Sequence, residues 1–244
     1  MAKEGEINYL KLIGEEGRNH SVNKPFSDPL CGRYLMEIGA VIFLLPKPPA
    51  KLLDFGCGTG WTSIFFAKCG YDVIGQDISE DAIALARKSA GGIPNIKFEV
   101  CDYENTPYNG IFDCAVFFDS LHHAVDEESA IRSAYSALRK GGICVTSEPG
   151  ICHQSSRNAL EAVKKYNVTE KSMPPDKIRK IAKKIGFSSA VIYPHANMVG
   201  EKLYGKDLTG PFGWLYRITF FRNLYVASYV LFLKKFSGLV VLIK

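Results

Sequence analysis

The chain has 244 residues, 47% of them hydrophobic and 23% charged, with a formal net charge of +5. That composition fits one α/β domain with extensions and a real core, and the mild charge permits an acidic partner without requiring one. Seven cysteines, odd in number, scattered and without a CxxC pair, exclude a disulfide framework and read as small thiols in a reducing cytosol. The opening MAKEGEINYL has no apolar run, so no signal peptide is expected and the protein is read as cytoplasmic. The longest apolar run, LYVASYVLFL at 224–233, is far short of the roughly 20 residues that cross a bilayer.

Along the first 50 residues one helix is expected, over 30–45, bounded by Asp28-Pro29 and by PKPP. From residue 51 strand and helix patterns alternate. Strands are expected over 51–55, 71–77, 96–101, 112–118 and 143–148, and helices over 61–69, 79–89 and 127–139. Residues 112–118 are almost wholly apolar, as in a strand buried on both faces. This alternation predicts a parallel sheet covered on both sides. Helices follow over 155–166 and 176–185, separated by the turn-rich connector VTEKSMPP, and then a strand over 189–194. The basic face of 176–185 reads as solvated rather than as a nucleic-acid patch. An aromatic-rich stretch of some forty residues precedes a final strand in GLVVLIK.

The segment LLDFGCGTGWTS (52–63) carries the first functional signal. Glycines 56, 58 and 60 follow a strand and open a helix, an arrangement that lets backbone approach a ligand closely. A triphosphate loop would need GxxxxGK[ST], and a dinucleotide loop GxGxxG; here Trp61 follows GxGxG. Asp54, at the end of the strand, disfavours an anion and suits a cation. The next strand ends in Asp77, where an acid can accept from both ribose hydroxyls. The third ends at Cys101-Asp102, placing an acceptor for an adenine amino group, and the fourth at Phe118-Asp119. Four strand-end acids along the ligand edge of one sheet point to a cationic ligand with an adenosine end.

These segments, DFGCGTG (54–60), VIGQDIS (73–79), FEVCDY (98–103), FDCAVFFDSLHH (112–123) and LRKGGICVTSEPG (138–150), resemble the successive motifs of class I S-adenosylmethionine-dependent methyltransferases. The resemblance covers about residues 50–150 and implies a Rossmann-like, doubly wound, seven-stranded α/β sheet with a final antiparallel strand. It implies that Gly56 and Gly58 line the methionine part of the cofactor, Asp77 holds its ribose and Ile78 touches adenine. It further places Asp102 at the adenine amino group and Phe118 beside the cofactor, with Asp54 supporting the loop. Cys57, Gly60, Tyr103 and Asp119 complete the expected cofactor set. Two further segments, NKPFSDP (23–29) and 148–175, resemble a bacterial subset linked to surface-glycan or small-molecule tailoring.

Residues 1–46 are accordingly read as an N-terminal helical cap and 47–244 as the methyltransferase domain, with 195–236 a helical, lid-like insertion. The expected reaction is methyl transfer from S-adenosylmethionine to a small molecule, above all to an oxygen of a sugar or related metabolite. A hydroxyl acceptor needs a base, and His153, His122 and His123 stand at the ligand edge as candidates. Asp119 and Glu148 end neighbouring strands and form a donor pair for Mg²⁺, but their expected roles are a cofactor contact and a hydrogen-bonded strand end, and no metal is expected. The amino-methyltransferase tetrapeptide [DNS]PP[YFW] is replaced by FDSL, and no RNA-binding module is present, so no nucleic-acid partner is expected. Two other readings stand beside this one: a lipid-linked acceptor, with 212–235 in peripheral contact with a membrane, and a non-catalytic cofactor-binding module. In the lid reading Tyr204, Phe212, Trp214, Tyr216 and Phe220 cover the acceptor; in the membrane reading Arg217, Arg222, Lys234 and Lys235 lie near anionic lipid.

Overall fold

The computed structural model describes residues 3–204, 218–233 and 236–244. Its centre is a seven-stranded sheet in the order β3-β2-β1-β4-β5-β7-β6. The strands are β1 (Lys51–Phe55), β2 (Asp72–Asp77), β3 (Ile96–Val100), β4 (Phe112–Phe118), β5 (Leu138–Glu148), β6 (Ser189–Tyr193) and β7 (Gly238–Ile243). β1 to β5 pair in parallel, and β7 runs antiparallel to both of its neighbours. The expected doubly wound sheet with an antiparallel closing strand is what the chain forms.

Alternation along the strands builds two cores, one on each face. On one face Leu53, Phe55, Ala115, Phe117 and Val240 are fully buried against Ile131 and Ala134 of α6 (Glu127–Ala137) and Ile178 and Ala182 of α8 (Pro175–Ile185). On the other, Leu52, Val73, Val116 and Val145 pack with Ile38 and Val41 of α3 (Cys31–Leu44) and Phe66 of α4 (Trp61–Lys68). Ile83 and Ala86 of α5 (Glu80–Ala90) meet Phe98 of β3. Side chains cap the helix starts: Ser79 accepts from the Ala82 N–H, and Asp126 accepts from Glu128 and Ser129 N–H.

Two regions differ from expectation. The N-terminal fifty residues hold three helices rather than one, α1 (Glu4–Leu12) and α2 (Gly14–Val22) preceding α3. β5 begins at Leu138 rather than 143, because Leu138 pairs with Phe112 across an irregularity in the β4 ladder. After α7 (Arg157–Tyr166) and α8, the described residues between β6 and β7 include α9 (Ala196–Tyr204), which packs on α3, and α10 (Thr219–Leu233), which packs on α9. A buried pair fixes this region. Glu37 of α3 accepts from His195 Nδ1 at 2.5 Å, from Ser147 Oγ at 3.1 Å and from the Asn197 N–H at 3.3 Å. Phe212, Trp214, Tyr216, Arg217, Lys234 and Lys235 lie outside the described residues. Among the described residues no helix is long and apolar enough to cross a membrane.

Candidate active site

The strand order reverses between β1 and β4, and a cleft opens there beyond the carboxyl ends of the strands, where open α/β sheets hold ligands. It has about 250 Å³ of room for water-sized molecules. Gly56, Cys57 and Gly58 form one wall, Asp77 and Ile78 the next, and Tyr103, Phe118 and Asp119 the far side. Gly56 and Gly58 have φ of 69° and 54°, the left-handed region that glycine enters without penalty. A Cβ on Gly56 would lie 2.6 Å from Ser120 Cβ, so that glycine is needed for packing too. On Gly58 an added Cβ would meet nothing within 4 Å; the space before it is the cleft.

Asp77 shapes the loop from the inside. Its Oδ2 accepts from the Gly58 N–H and its Oδ1 from the Ser79 N–H, both at 2.9 Å. Burial raises its carboxyl above the usual range, against those two hydrogen bonds. Asp54 is set back from the cleft: it accepts from Thr62 Oγ1 at 2.7 Å and Ser63 Oγ at 2.6 Å, tying the loop to α4. Burial pushes Asp54 up to about 6, against those hydroxyls. Gly60, with φ of 85°, also stands behind the wall and starts α4.

Several lining residues come from residues 1–46, read above as a cap but without naming any site residue there. Lys3, Glu6 and Tyr9 of the N-terminal arm roof the cleft, and Lys24 and Tyr34 close one end. The arm is pinned through Thr59 Oγ1 donating to the Ser21 carbonyl at 2.7 Å and Ser79 Oγ donating to the Ile7 carbonyl at 3.1 Å. Lys3 Nζ lies 2.5 Å from Asp102 Oδ2 and 2.9 Å from Glu104 Oε2. Asp102, expected at an adenine amino group, therefore stands in the cleft already paired, its Oδ1 taking the Glu104 N–H. None of the described residues of 195–236 lines the cleft, and Tyr204 and Phe220 are exposed at 76% and 69%. Among the described residues the covering element is the N-terminal arm, while α9 packs on α3 beside the Glu37–His195 pair.

The three histidines converge, with ring centroids 4.0 Å apart for His122–His123 and 5.1 Å for His122–His153. Only His123 lines the cleft. Its Nδ1 lies 2.7 Å from the Thr169 carbonyl and 3.5 Å from Glu6 Oε1. Burial opposes its charge, but Glu6 and Glu170 outweigh that and raise it to about 9. His122 is buried behind it, with Nδ1 2.7 Å from Glu148 Oε2; burial and the neighbouring His123 push it down to about 3. His153 Nε2 lies 2.6 Å from Glu170 Oε2, outside the cleft lining. Glu170 belongs to VTEKSMPP, read above as a connector; its place in a segment flagged by resemblance was the one signal for it.

Glu148 accepts the N–H groups of Ser120, Leu121 and His122 besides the His122 ring. Its oxygens are filled, which leaves no pair with Asp119 for Mg²⁺. Burial pushes Glu148 up to about 7. Asp119 does line the cleft, with φ of 50°, an uncommon backbone for this residue that recurs at functional sites. Burial and then Glu148 raise its carboxyl, against His122 and Lys24.

A glycine loop open to ligand, a ribose-type acid on the second strand and an acid-rich cleft at the switch point define the class I methyltransferase site. The sequence model of the methyltransferase-domain family matches residues 30–190, about two thirds of the chain. The chain belongs to this family, the S-adenosylmethionine-dependent methyltransferases of class I, whose cofactor is S-adenosylmethionine. Phosphoethanolamine N-methyltransferase 3 of Arabidopsis thaliana is 34% identical over 99 residues, 39% of this chain and 20% of that protein. Norajmaline N-methyltransferase of Rauvolfia serpentina is 30% identical over 144 residues, 57% of this chain and 45% of that protein. The chain thus spans less than half the length of these curated relatives. Among solved structures, Haemonchus contortus phosphoethanolamine N-methyltransferase 2, in complex with phosphomonomethylethanolamine and S-adenosylhomocysteine, superposes with a TM-score of 0.66 at 18% identity. That superposition covers 100% of this chain and 60% of that one, and likeness of this degree shows the fold.

Proposed function

We propose that this protein transfers a methyl group from S-adenosylmethionine to a hydroxyl oxygen of a small polar acceptor, such as a sugar. The observation that carries the oxygen reading is Asp119, a cleft-lining carboxyl whose proton affinity desolvation and then the neighbouring Glu148 raise. A hydroxyl must lose a proton to become a nucleophile, whereas an amine needs at most a sink for one. The residues present fit the cofactor: Gly56 and Gly58 leave room for its methionine end, Asp77 and Ile78 take ribose and adenine, and Phe118 lies alongside. Bound there, the cofactor supplies a methyl already activated on a sulfonium, so alignment provides much of the rate.

The chain's own residues then do three things. Residues 1–46 act as the cap, with the arm bearing Lys3 and Glu6 excluding water from the cleft. Asp119 accepts the acceptor's proton. His123, already protonated near neutral pH, serves as a positive partner for the carboxylates around it rather than as the base. His122 and His153 support the site from outside the lining. A second reading, a lipid-linked acceptor at a membrane surface, is favoured by α10, whose Phe220, Leu224, Leu231 and Phe232 are all more than half exposed.

The deciding experiment supplies labelled S-adenosylmethionine and small-molecule extracts, then locates the label by fragmentation mass spectrometry. Label on oxygen is expected. Label on nitrogen, as the names of the plant relatives would suggest, overturns the oxygen reading; cofactor binding with no product from aqueous or lipid fractions favours a non-catalytic module. Asp119→Asn is expected to lower turnover about 10²–10⁴-fold while cofactor affinity stays within a few fold. Undiminished turnover in that variant removes Asp119 as base.

A further inference from the structure

His122, His123 and Glu170 each bring a ligand atom to within 4.8 Å of the other two. The hydrogen bonds behind the two imidazoles decide what those atoms are. His122 is 6% exposed, and its Nδ1 faces Glu148, whose oxygens already accept three backbone N–H groups. Glu148 is therefore the acceptor and Nδ1 carries the proton, which leaves a lone pair on Nε2. That Nε2 makes no hydrogen bond among the described residues and faces Glu170 Oε2 at 3.6 Å. His123 Nδ1 faces the Thr169 carbonyl, which can only accept, so Nδ1 keeps its proton and Nε2 is the atom that an incoming cation would take over by displacing the second proton of this charged ring. Glu170 Oε2 receives its hydrogen bond from His153 Nε2 at 2.6 Å, which fixes the carboxylate in place.

Three ligand atoms thus converge on one small space, one of them on a nine-tenths buried ring whose Nε2 makes no hydrogen bond among the described residues. A carboxylate or carbonyl behind each imidazole is the support that metal-ligating histidines carry. Two imidazoles and one carboxylate, with positions left open, suit zinc and its borderline neighbours rather than Mg²⁺ or Ca²⁺. We propose that His122, His123 and Glu170 form a divalent transition-metal site at the rim of the cofactor cleft, supported by Glu148, Thr169 and His153. Glu170 lies far along the chain from the two histidines, and adjacent histidines match no zinc-finger spacing, so the pattern is invisible before folding.

Because His123 lines the cleft, an open coordination position there meets the acceptor. A hydroxyl oxygen held in that position would lose its proton more readily. This last role rests on the oxygen reading above; the site itself does not.

The test titrates the full chain with Zn²⁺ and with Co²⁺, following heat and, for cobalt, the visible d–d bands. About one equivalent of metal per chain is expected. Glu170→Ala and His123→Ala should each weaken binding by at least about 10–100-fold, the loss that removing even a supporting hydrogen-bond partner brings. Circular dichroism and S-adenosylhomocysteine binding confirm that each variant is folded, and both variants leave the buried His122 in place. Exposed Cys69 and Cys152 offer competing thiols, so the titration is repeated after alkylation. Failure of the folded, alkylated protein to bind either ion overturns the site, as does unchanged affinity in Glu170→Ala. Metal binding without methyl transfer would leave the site standing and count only against the acceptor reading.

Discussion

Glu37 and His195 lie 158 residues apart in sequence and meet at 2.5 Å in the interior, with 3% and 7% of their surfaces exposed. Removing one partner of such a pair leaves a buried charge without compensation, which costs about 3–5 kcal/mol. Glu37→Ala should therefore lower the unfolding free energy in urea by roughly that amount. The pair also has a pH signature. Burial alone would lower the His195 pKa, but the hydrogen bond and charge of Glu37, with Asp119 nearby, raise it above 6.5. The stability it contributes is then fully present below the unfolded value of 6.5 and is lost as pH rises through the raised folded value. The stability gap between the protein and His195→Gln should accordingly narrow in denaturant titrations as pH rises above 6.5 and through the raised folded value. A gap that widens over that range would contradict the assignment. Asp77 gives a second residue-level test, since its loss removes charged hydrogen bonds worth roughly 1.5–3 kcal/mol each. Calorimetry on Asp77→Asn should show weaker S-adenosylhomocysteine binding, and unchanged affinity would remove Asp77 from the ribose site.

At the scale of elements, the N-terminal arm is the part of the site least legible in the sequence. Residues 4–22 carry few apolar side chains, and glycines at 5, 14 and 17 weaken a helical reading. The two helices are stabilised by what they touch: the Ser79 and Thr59 hydroxyls, and the Thr169 N–H that donates to Glu6 Oε1 at 2.7 Å. Such tertiary hydrogen bonds leave no periodicity to find. The glycine loop, by contrast, was legible because a backbone that must turn at positive φ and leave room for a ligand admits few residues. The sheet was legible because a strand buried on both faces, such as β4, must be apolar throughout. Glu170 was hidden for the opposite reason, as one polar residue in a polar connector. If the arm roofs the cofactor, release must wait for it to lift. Deleting residues 1–22 should weaken S-adenosylhomocysteine binding about tenfold or more and speed its dissociation in stopped-flow measurements. Equal dissociation rates would show that the arm is not the gate.

At the scale of the whole molecule, the apolar surface is unevenly shared. α10 leaves Phe220, Phe221, Leu224, Tyr225, Leu231 and Phe232 exposed, and of the described elements it packs chiefly on α9. The sequence reading favoured a lid for this region; the exposure of its described residues favours an external partner. A chain of net charge +5 with an aromatic helix on one side is suited to an anionic bilayer. Sedimentation with phosphatidylglycerol vesicles should therefore pull the protein down, with recovery in the supernatant after Phe220→Ser and Leu231→Ser. Equal partition of protein and variant would sink the membrane reading and leave the aqueous acceptor.

The sheet closes from its interior outward. β7 sits between β5 and β6 in space but follows both in sequence, so neither has its shared neighbour until residues 238–243 have been made. A nascent chain stalled on the ribosome before Gly238 would display two unpaired strand margins, one of them the valine-bearing edge of β5. It would already carry the glycine loop and Asp77, the groups proposed above for the cofactor's methionine and ribose ends. Cofactor-binding chemistry is thus assembled early in translation, whereas protection from aggregation and proteolysis arrives with the last strand. Cellular quality control would meet this protein at that interval, when the half-built sheet can engage its ligand but not yet hide its own edges.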